Sequence, residues 1–155
     1  MHASLKRSLR SVPSRSAAFV EPMECLAVAK LPDGAQWLYE IKLDGYRAEA
    51  LRSDGGVILF SRNRKSFNKQ FSLIVEALAD LPENTIIDGE VVALDESGRP
   101  DFNLLQNFRS GASRIHYFVF DLLAYDGRDL TRPCSLITVF GSLSSRNPTN
   151  FECLR

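Results

Sequence analysis

Five short runs of apolar, β-branched and aromatic residues, separated by turn-forming residues, constrain the fold of this chain more than any other feature. Runs of this composition and length are typical of β-strands. They predict strands at Trp37 to Ile41, Tyr46 to Ser53, Val57 to Ser61, Thr85 to Leu94 and Ile115 to Ala124. Asp54-Gly55-Gly56 predicts a hairpin between the second and third runs, and Glu96-Ser97-Gly98 predicts a further turn.

Two stretches carry the pattern of helices that pack against a sheet. Five apolar residues recur at helical spacing and end before Pro82: Phe67, Phe71, Ile74, Val75 and Leu78. We expect this stripe to pack in the core. A short helix is also predicted from Phe102 to Phe108. The strands and helices together predict an α+β fold in which antiparallel β-sheets are flanked by helices.

Composition indicates a soluble intracellular domain. The 155 residues have the length of about one domain, and 45% of them are hydrophobic. No apolar run approaches the roughly 20 residues needed to cross a bilayer. Cys25, Cys134 and Cys153 are odd in number and widely spaced, which suits a reducing compartment. The formal net charge is zero, so any contact with nucleic acid would have to come from local basic patches.

One basic patch lies at the amino terminus. Residues 1–18 contain no acidic residue and hold Lys6, Arg7, Arg10 and Arg15. This composition predicts a flexible basic arm or linker. An Arg- and Ser-rich start without acids is also typical of an organelle transit peptide, and both interpretations stay open.

The stretch Glu40-Ile41-Lys42-Leu43-Asp44-Gly45-Tyr46-Arg47 is the strongest candidate for chemistry. It places one lysine in a β-strand pattern, beside an Asp-Gly turn and within reach of an arginine. A lysine amine is an effective nucleophile only when neutral, so it needs an apolar setting or a cationic neighbour. Arg47 could hold a phosphate through two hydrogen bonds. The alternative is a plain hairpin in which Asp-Gly only makes the turn.

Three further motifs follow in the chain: Phe60-Ser61-Arg62-Asn63, Ile87-Asp88-Gly89-Glu90, and the aromatic run from Tyr117 to Leu122. With the lysine motif, they resemble the nucleotidyltransferase (adenylation) domain of ATP-dependent DNA ligases, most of all the bacterial end-joining ligases associated with a polymerase. The resemblance runs from about Phe19 to Thr131 and implies an incomplete, ATP-grasp-like domain with the nucleotide between sheets.

The resemblance also implies residue roles. Lys42 and Asp44 would be catalytic, and the nucleotide would be bound by Glu40, Arg47, Arg62, Glu90 and Phe120. Glu40 would meet the adenine amino group, Phe120 would stack on the adenine, and Glu90 would hold a ribose hydroxyl or a magnesium ion. From the residues alone, three plainer interpretations stay open: a solvated Glu90 at a strand edge, a solvated loop around Arg62, and a core position for Phe120 beside Phe118. Asp88 is expected to be structural, and His116 to be a strand residue without a catalytic role.

The implied activity is sealing of DNA breaks through a lysine-AMP intermediate, with ATP and Mg²⁺ as cofactors. The implied partners are nicked or broken double-stranded DNA and possible end-joining proteins, with no membrane. The implied location is the bacterial cytoplasm, at the nucleoid. Two rivals remain: another lysine nucleotidyltransferase such as an RNA ligase or capping enzyme, and a degenerate nucleotide-binding remnant or interaction module.

The carboxyl-terminal part departs from the family pattern. After Leu130 the family continues with a metal-binding glutamate motif and a Lys-x-Lys motif, and neither occurs in residues 132–155. We expect this tail to be divergent and poorly ordered, as in a truncated or frame-shifted chain. Lysine adenylation is then expected to be severely impaired.

Overall fold

The computed structural model describes residues 11–24, 27–35, 37, 42–108 and 115–131, and the backbone of residues 138–144. Residues 1–10 of the predicted arm, most of the predicted strand at Trp37 to Ile41, and the remainder of the predicted tail lie outside the described residues. Trp37 itself is described and is not part of a strand.

The described residues form one antiparallel sheet with few helices. Its strands are β1 (Tyr46–Ser53), β2 (Gly56–Ser61), β3 (Thr85–Ala93), β4 (Ile115–Tyr125), β5 (Arg128–Asp129) and β6 (Thr138–Ser144). The strand order is β2-β1-β3-β4-β5, and β6 also pairs with β4. Every pairing is antiparallel. The α+β expectation is therefore confirmed, although the described part of the chain holds a single sheet where several were expected.

The β1–β2 hairpin turns where the sequence predicts it. Ser53 pairs with Gly56, so the turn consists of Asp54 and Gly55. Gly56 then adopts a φ of +107°, which a residue with a side chain rarely tolerates. This local geometry fixes the register of the hairpin and, with it, the face to which each β1 side chain points.

The main hydrophobic core lies between one face of the sheet and the helices α1 (Ser72–Ala77) and α2 (Phe102–Gln106). Tyr117 is fully buried there, and its hydroxyl donates to the backbone carbonyls of Ala48 at 2.7 Å and Ile87 at 3.3 Å. A buried phenol hydroxyl needs a hydrogen-bond acceptor. The hydroxyl of Tyr117, on β4, has acceptors on both β1 and β3. The predicted apolar stripe packs in or against this core.

Helix α1 is shorter than the predicted stripe, which begins at Phe67. The segment before α1 is drawn onto the edge of the sheet, because the Asn68 side chain accepts the Leu59 N–H at 2.9 Å and donates to the Val57 carbonyl at 2.8 Å. The Phe67 N–H also donates to the Leu59 carbonyl at 2.8 Å. An asparagine that bonds to backbone groups in this way competes with helix formation and covers the free edge of β2.

The opposite face of the sheet is partly covered by residues 13–23, which we call the N-terminal segment. Asp129 donates its N–H to the Pro13 carbonyl at 2.8 Å, and the Arg15 N–H donates to the Gly127 carbonyl at 2.9 Å. Ala17, Phe19 and Val20 pack on a second, smaller apolar cluster formed by Leu51, Ile86 and Ala124. The described part of the predicted arm, residues 11–18, thus includes hydrogen-bonded backbone, while the proposed domain boundaries stay predictions.

Residues 138–144, within the predicted tail, form β6 along β4, with Val119 opposite Gly141. Among the helices of the described residues, we find none with the length and apolar character needed to span a membrane.

Replacing Asn68 by alanine is expected to lower the free energy of unfolding by about 1–3 kcal/mol, because it leaves the buried Leu59 N–H and the Val57 carbonyl without their side-chain partner. Urea unfolding followed by circular dichroism measures the change. Lys69→Ala, at the exposed neighbouring position, serves as the control and is expected to stay within about 0.5 kcal/mol of the parent. Equal losses in the two variants would contradict the edge-covering role.

Candidate nucleotide-binding site

Side-chain alternation places a row of charged residues on the sheet face opposite the main core. Arg47 on β1 pairs with Glu90 on β3, and Glu49 pairs with Asp88. On the far side of β3, Asp88 pairs with Asp121. Because residues directly opposite each other in an antiparallel ladder have neighbouring side chains, these five charged groups share one surface.

Arg47 and Asp88 form the central ion pair of this surface. Arg47 donates through Nε to both carboxylate oxygens of Asp88 at 3.2 and 3.3 Å, and through Nη2 to Oδ2 at 2.7 Å. The Asp88 side chain is only 5% exposed. Arg47 also donates from Nη1 to the Met23 carbonyl at 2.9 Å. The guanidinium is thereby held by β3 on one side and by the N-terminal segment on the other. The structural role expected of Asp88 is to fix the position of Arg47.

Phe120 lies beside this ion pair at an irregularity in β4. Gly89 pairs with Val119 and Asp88 with Asp121, so Phe120 is an extra residue in the ladder. Bulges of this type change the direction of a side chain. The Arg47 guanidinium carbon lies 5.6 Å from the centroid of the half-buried Phe120 ring. Neither Phe118 nor Phe120 belongs to the main core, in contrast to the interpretation that placed both of them there.

Lys42 and Asp44 precede β1 and are both exposed. Lys42 itself does not lie in a strand, and β1 begins only at Tyr46, after the chain bends at Gly45. Most of the strand predicted before Lys42, at residues 37 to 41, lies outside the described residues. Glu40 lies outside the described residues. The order of the motif still brings Lys42 to the end of β1, next to the row of charged groups.

Glu90 connects Lys42 to that row. Burial raises the pKa of Glu90, and this rise is opposed by a hydrogen bond from the Gly45 backbone and by the positive charges of Arg47 and Lys42. Lys42 and Arg47 thus both lie within electrostatic range of Glu90. Glu90 is half-buried in the ladder, which differs from the interpretation as a solvated charge at a strand edge.

Gly45 allows this close approach. A Cβ at position 45 would overlap the Val91 carbonyl oxygen and lie 2.8 Å from Cγ1 of Val92. A side chain there would push the Lys42 segment away from β3. The glycine of the Asp-Gly pair is thus required by packing against β3 as well as by the turn.

Arg62 is exposed in the turn that follows β2. The turn begins beside Ser61, which pairs with Ala48, the residue after Arg47. The Ser61 hydroxyl accepts the Lys65 N–H at 3.0 Å and stabilises this turn. Within the described residues, no hydrogen bond or ion pair joins Arg62 to the Arg47 site. The neighbouring Arg64 places its guanidinium carbon 4.6 Å from the Phe19 ring centroid.

Glu49 is the residue of this site that sequence reasoning missed. It is 2% exposed, its Oε1 accepts the Val20 N–H at 2.9 Å, and its Oε2 has no hydrogen-bond partner in the described structure. Burial, with the nearby charge of Asp88, raises its pKa from an ordinary value of 4.5 to about 7, against the opposing effect of the Val20 hydrogen bond. Its neighbours Ala48 and Ala50 lie on the opposite face of β1, in the main core, so the local sequence carries no signal of this burial.

The described residues contain no preformed metal centre. They contain no group of three or more histidine, cysteine or acidic side chains arranged to hold a metal ion. Magnesium is commonly held by only one or two carboxylates together with substrate phosphates. Glu90 fits that smaller requirement, since it is an acid at the edge that Lys42 and Arg47 share.

His116 lies in β4 opposite Val92, and burial lowers its pKa. Its ring centroid is 6.0 Å from that of Phe118. The position agrees with the expectation of a strand residue.

Comparison with known protein families identifies the class. The family model for the ATP dependent DNA ligase domain matches residues 18–136. The matched region includes all four motifs and the Arg47–Asp88 ion pair. The chain therefore belongs to the ATP-dependent DNA ligase domain family.

Two relatives show the similarity in more detail. The chain is 42% identical over 110 residues to the multifunctional non-homologous end joining protein LigD of Pseudomonas aeruginosa, a match that covers 69% of this chain and 13% of that protein. It is 39% identical over 128 residues to DNA ligase C1 of Mycolicibacterium smegmatis, covering 73% of this chain and 37% of the ligase. The chain thus spans well under half the length of these two relatives.

Among solved structures, the ligase domain of Mycobacterium tuberculosis LigD is 38% identical in sequence, with a TM-score of 0.49. That match covers 58% of this chain and 30% of the other. A mycobacterial DNA ligase D complexed with ATP and MES matches with the same values.

Replacing Gly45 by alanine is expected to lower the free energy of unfolding by about 1–3 kcal/mol, because the added methyl group overlaps β3. Gly55→Ala is the matched control, since its nearest neighbour would be the Ser53 Oγ at 3.8 Å. Chemical denaturation measures both variants. A tolerated Gly45→Ala would contradict the close packing of the lysine motif against β3.

Replacing Glu49 by glutamine is expected to change the pH dependence of stability. Because the folded-state pKa of Glu49 is raised from 4.5 to about 7, its favourable contribution is complete below pH 4.5 and is lost as the pH rises to about 7. Between pH 4.5 and pH 8 the free energy of unfolding of the parent should therefore fall by about 2–3 kcal/mol relative to that of the variant. Denaturation at several pH values measures this difference. Glu76→Gln, at an exposed position on α1, is the control, and the same pH profile in both variants would refute the assignment.

Proposed function

We propose that this chain is the nucleotide-binding part of an ATP-dependent DNA ligase and that Lys42 is the residue that receives AMP. The observation that carries the proposal is the grouping of Lys42, Arg47 and Glu90 at one end of β1 and β3, inside the region that matches the ligase family. Lys42 would provide the nucleophile, Arg47 a phosphate-binding group and Glu90 a ribose acceptor.

In the proposed reaction, Nζ of Lys42 attacks the α-phosphorus of ATP. A P–N bond forms, the P–O bond to the β-phosphate breaks, pyrophosphate leaves with the bonding electron pair, and the nitrogen loses its proton. An oxygen of a DNA 5′-phosphate would then attack the phosphorus of AMP, so that a P–O bond forms, the P–N bond breaks and the Lys42 amine is released. Finally, a 3′-hydroxyl would attack the DNA 5′-phosphorus and lose its proton, and AMP would leave with the electron pair of the broken P–O bond.

The surrounding residues would orient the nucleotide. Arg47 would bind a phosphate or ribose oxygen in the direction set by Asp88, and Phe120 would stack on the adenine. Glu90 would accept a ribose hydroxyl. Arg62, in its exposed turn, would meet the nucleotide from the other side. Asp44 and Glu40 complete the proposed set, with Glu40 at the adenine amino group.

Magnesium is the proposed metal. Glu90 would hold it together with ATP phosphates, and the ion would offset the phosphate charge.

The proposed substrate is broken or nicked double-stranded DNA in the bacterial cytoplasm, at the nucleoid. The support comes from the relatives, which are named as an end-joining protein and a DNA ligase. End-joining proteins are the proposed partners for the same reason. The relatives therefore favour a DNA ligase over an RNA ligase or a capping enzyme.

Incubating the protein with α-labelled ATP and magnesium tests the proposal. We expect a weak covalent adduct on Lys42, in keeping with the impaired adenylation that the sequence predicts. The adduct should be labile to acid and disappear in Lys42→Arg, because the guanidinium stays charged and cannot attack phosphorus. Mass spectrometry of the peptide that contains residue 42 locates the adduct. Lys69→Arg is the control and should be labelled as the parent is.

Two outcomes would contradict the proposal. Labelling that persists in Lys42→Arg would place the nucleophile elsewhere. ATP binding without any adduct would support the alternative of a nucleotide-binding remnant.

A further inference from the structure

The N-terminal segment touches two of the motifs assigned to nucleotide binding. At Met23 its carbonyl accepts a hydrogen bond from Arg47 Nη1 at 2.9 Å. At Phe19 its ring lies 5.8 Å from Phe60, the first residue of the motif that contains Arg62, and 4.6 Å from the Arg64 guanidinium carbon. The segment therefore connects the ion pair to the turn that carries Arg62.

The far end of this segment is fastened to the sheet independently of the site. The Ala17 N–H donates to Asn84 Oδ1 at 3.1 Å, and Arg15 Nη1 lies 3.2 Å from Asp129 Oδ1. Between these contacts and Met23, the Val20 N–H donates a hydrogen bond to Oε1 of Glu49. Val20 lies three residues before Met23, so its hydrogen bond to Glu49 restricts where the Met23 carbonyl can lie.

An apolar side chain would suit position 49 better if packing were its only role. A buried carboxyl with an unpaired oxygen is unfavourable, and nothing in the main core requires it. Its one hydrogen bond goes to the N-terminal segment. Asp88, the direct cross-strand neighbour of Glu49, is the residue that binds Arg47 from the other side.

We infer that Glu49 is a positioning residue of the nucleotide site. It holds the N-terminal segment against β1 so that the Met23 carbonyl and the Asp88 carboxylate fix the Arg47 guanidinium between them. This inference rests on the proposed function for its effect on ATP, whereas its effect on Arg47 is independent of any nucleotide.

Three variants test it. Glu49→Ala removes the acceptor for the Val20 N–H, whereas Glu49→Gln keeps an acceptor oxygen and removes the same charge. Comparing alanine with glutamine thus separates positioning from the change in charge. Ile74→Val, in the main core on the opposite face, controls for a general loss of stability.

Amide hydrogen exchange at Val20 and the NMR signal of the Arg47 Nε–H are the first measurements. In Glu49→Ala we expect exchange at Val20 to accelerate about tenfold relative to Leu59, since loss of one hydrogen bond opens the segment locally. The Arg47 Nε–H signal should shift or broaden. Glu49→Gln and Ile74→Val should leave both signals close to those of the parent protein.

Equilibrium titration with ATP is the second measurement. We expect Glu49→Ala to bind about three- to tenfold more weakly than Glu49→Gln, through the lost orientation of Arg47. The inference is overturned if Val20 and Arg47 are unchanged in Glu49→Ala, if Ile74→Val reproduces the changes, or if alanine and glutamine bind ATP equally. If the parent protein binds no ATP, the proposed function fails, and the Val20 and Arg47 signals alone decide the inference.

Discussion

The ion pair between Arg47 and Asp88 is the interaction on which the candidate site depends. Breaking a buried pair of this kind is strongly unfavourable, because the remaining charge stays out of water. The aspartate is almost fully buried, so Arg47 has to remain beside it. This requirement favours the register of β1 against β3 in which Arg47 lies opposite Glu90, next to Asp88.

The acidic residues around that pair confine the positive charge of the site to one edge. Glu49, Asp88, Glu90 and Asp121 share the face, and burial raises the pKa of Glu49, Glu90 and Asp121. Arg47 and Lys42 bring positive charge to its edge. An anionic ligand would therefore meet cations at the ends of the strands, where Gly45 brings the lysine segment close to β3.

The sequence predicts β1 to β4 closely, because the composition of these runs is typical of strands, whereas it predicts neither β5 nor β6. Tyr46–Ser53 was predicted with the bounds that the structure shows, and β3 and β4 differ by a residue at one end. The start of α1 was misplaced because the Asn68 side chain bonds to β2 in preference to a helix. Lys42 was placed in a strand because the apolar letters around it resemble one, while the chain turns at Gly45 before β1 begins.

Other features could not be predicted from local pattern. Glu49 looks like an ordinary strand residue until its partner Val20, 29 residues earlier, is known. The bulge at Phe120 likewise results from the pairing of β4 with β3. Such contacts depend on the whole arrangement of the strands.

The separation of these contacts along the chain has a consequence for the order of folding. The β1–β2 hairpin, in which Ala48 pairs with Ser61, and its Asn68 contacts join residues that are close in the chain, so little chain entropy opposes them. The N-terminal segment instead meets partners 67 and 114 residues away. Its docking is therefore expected to be a late event on folding and an early one on unfolding, so Arg47 would acquire its full set of partners only after the sheet has formed.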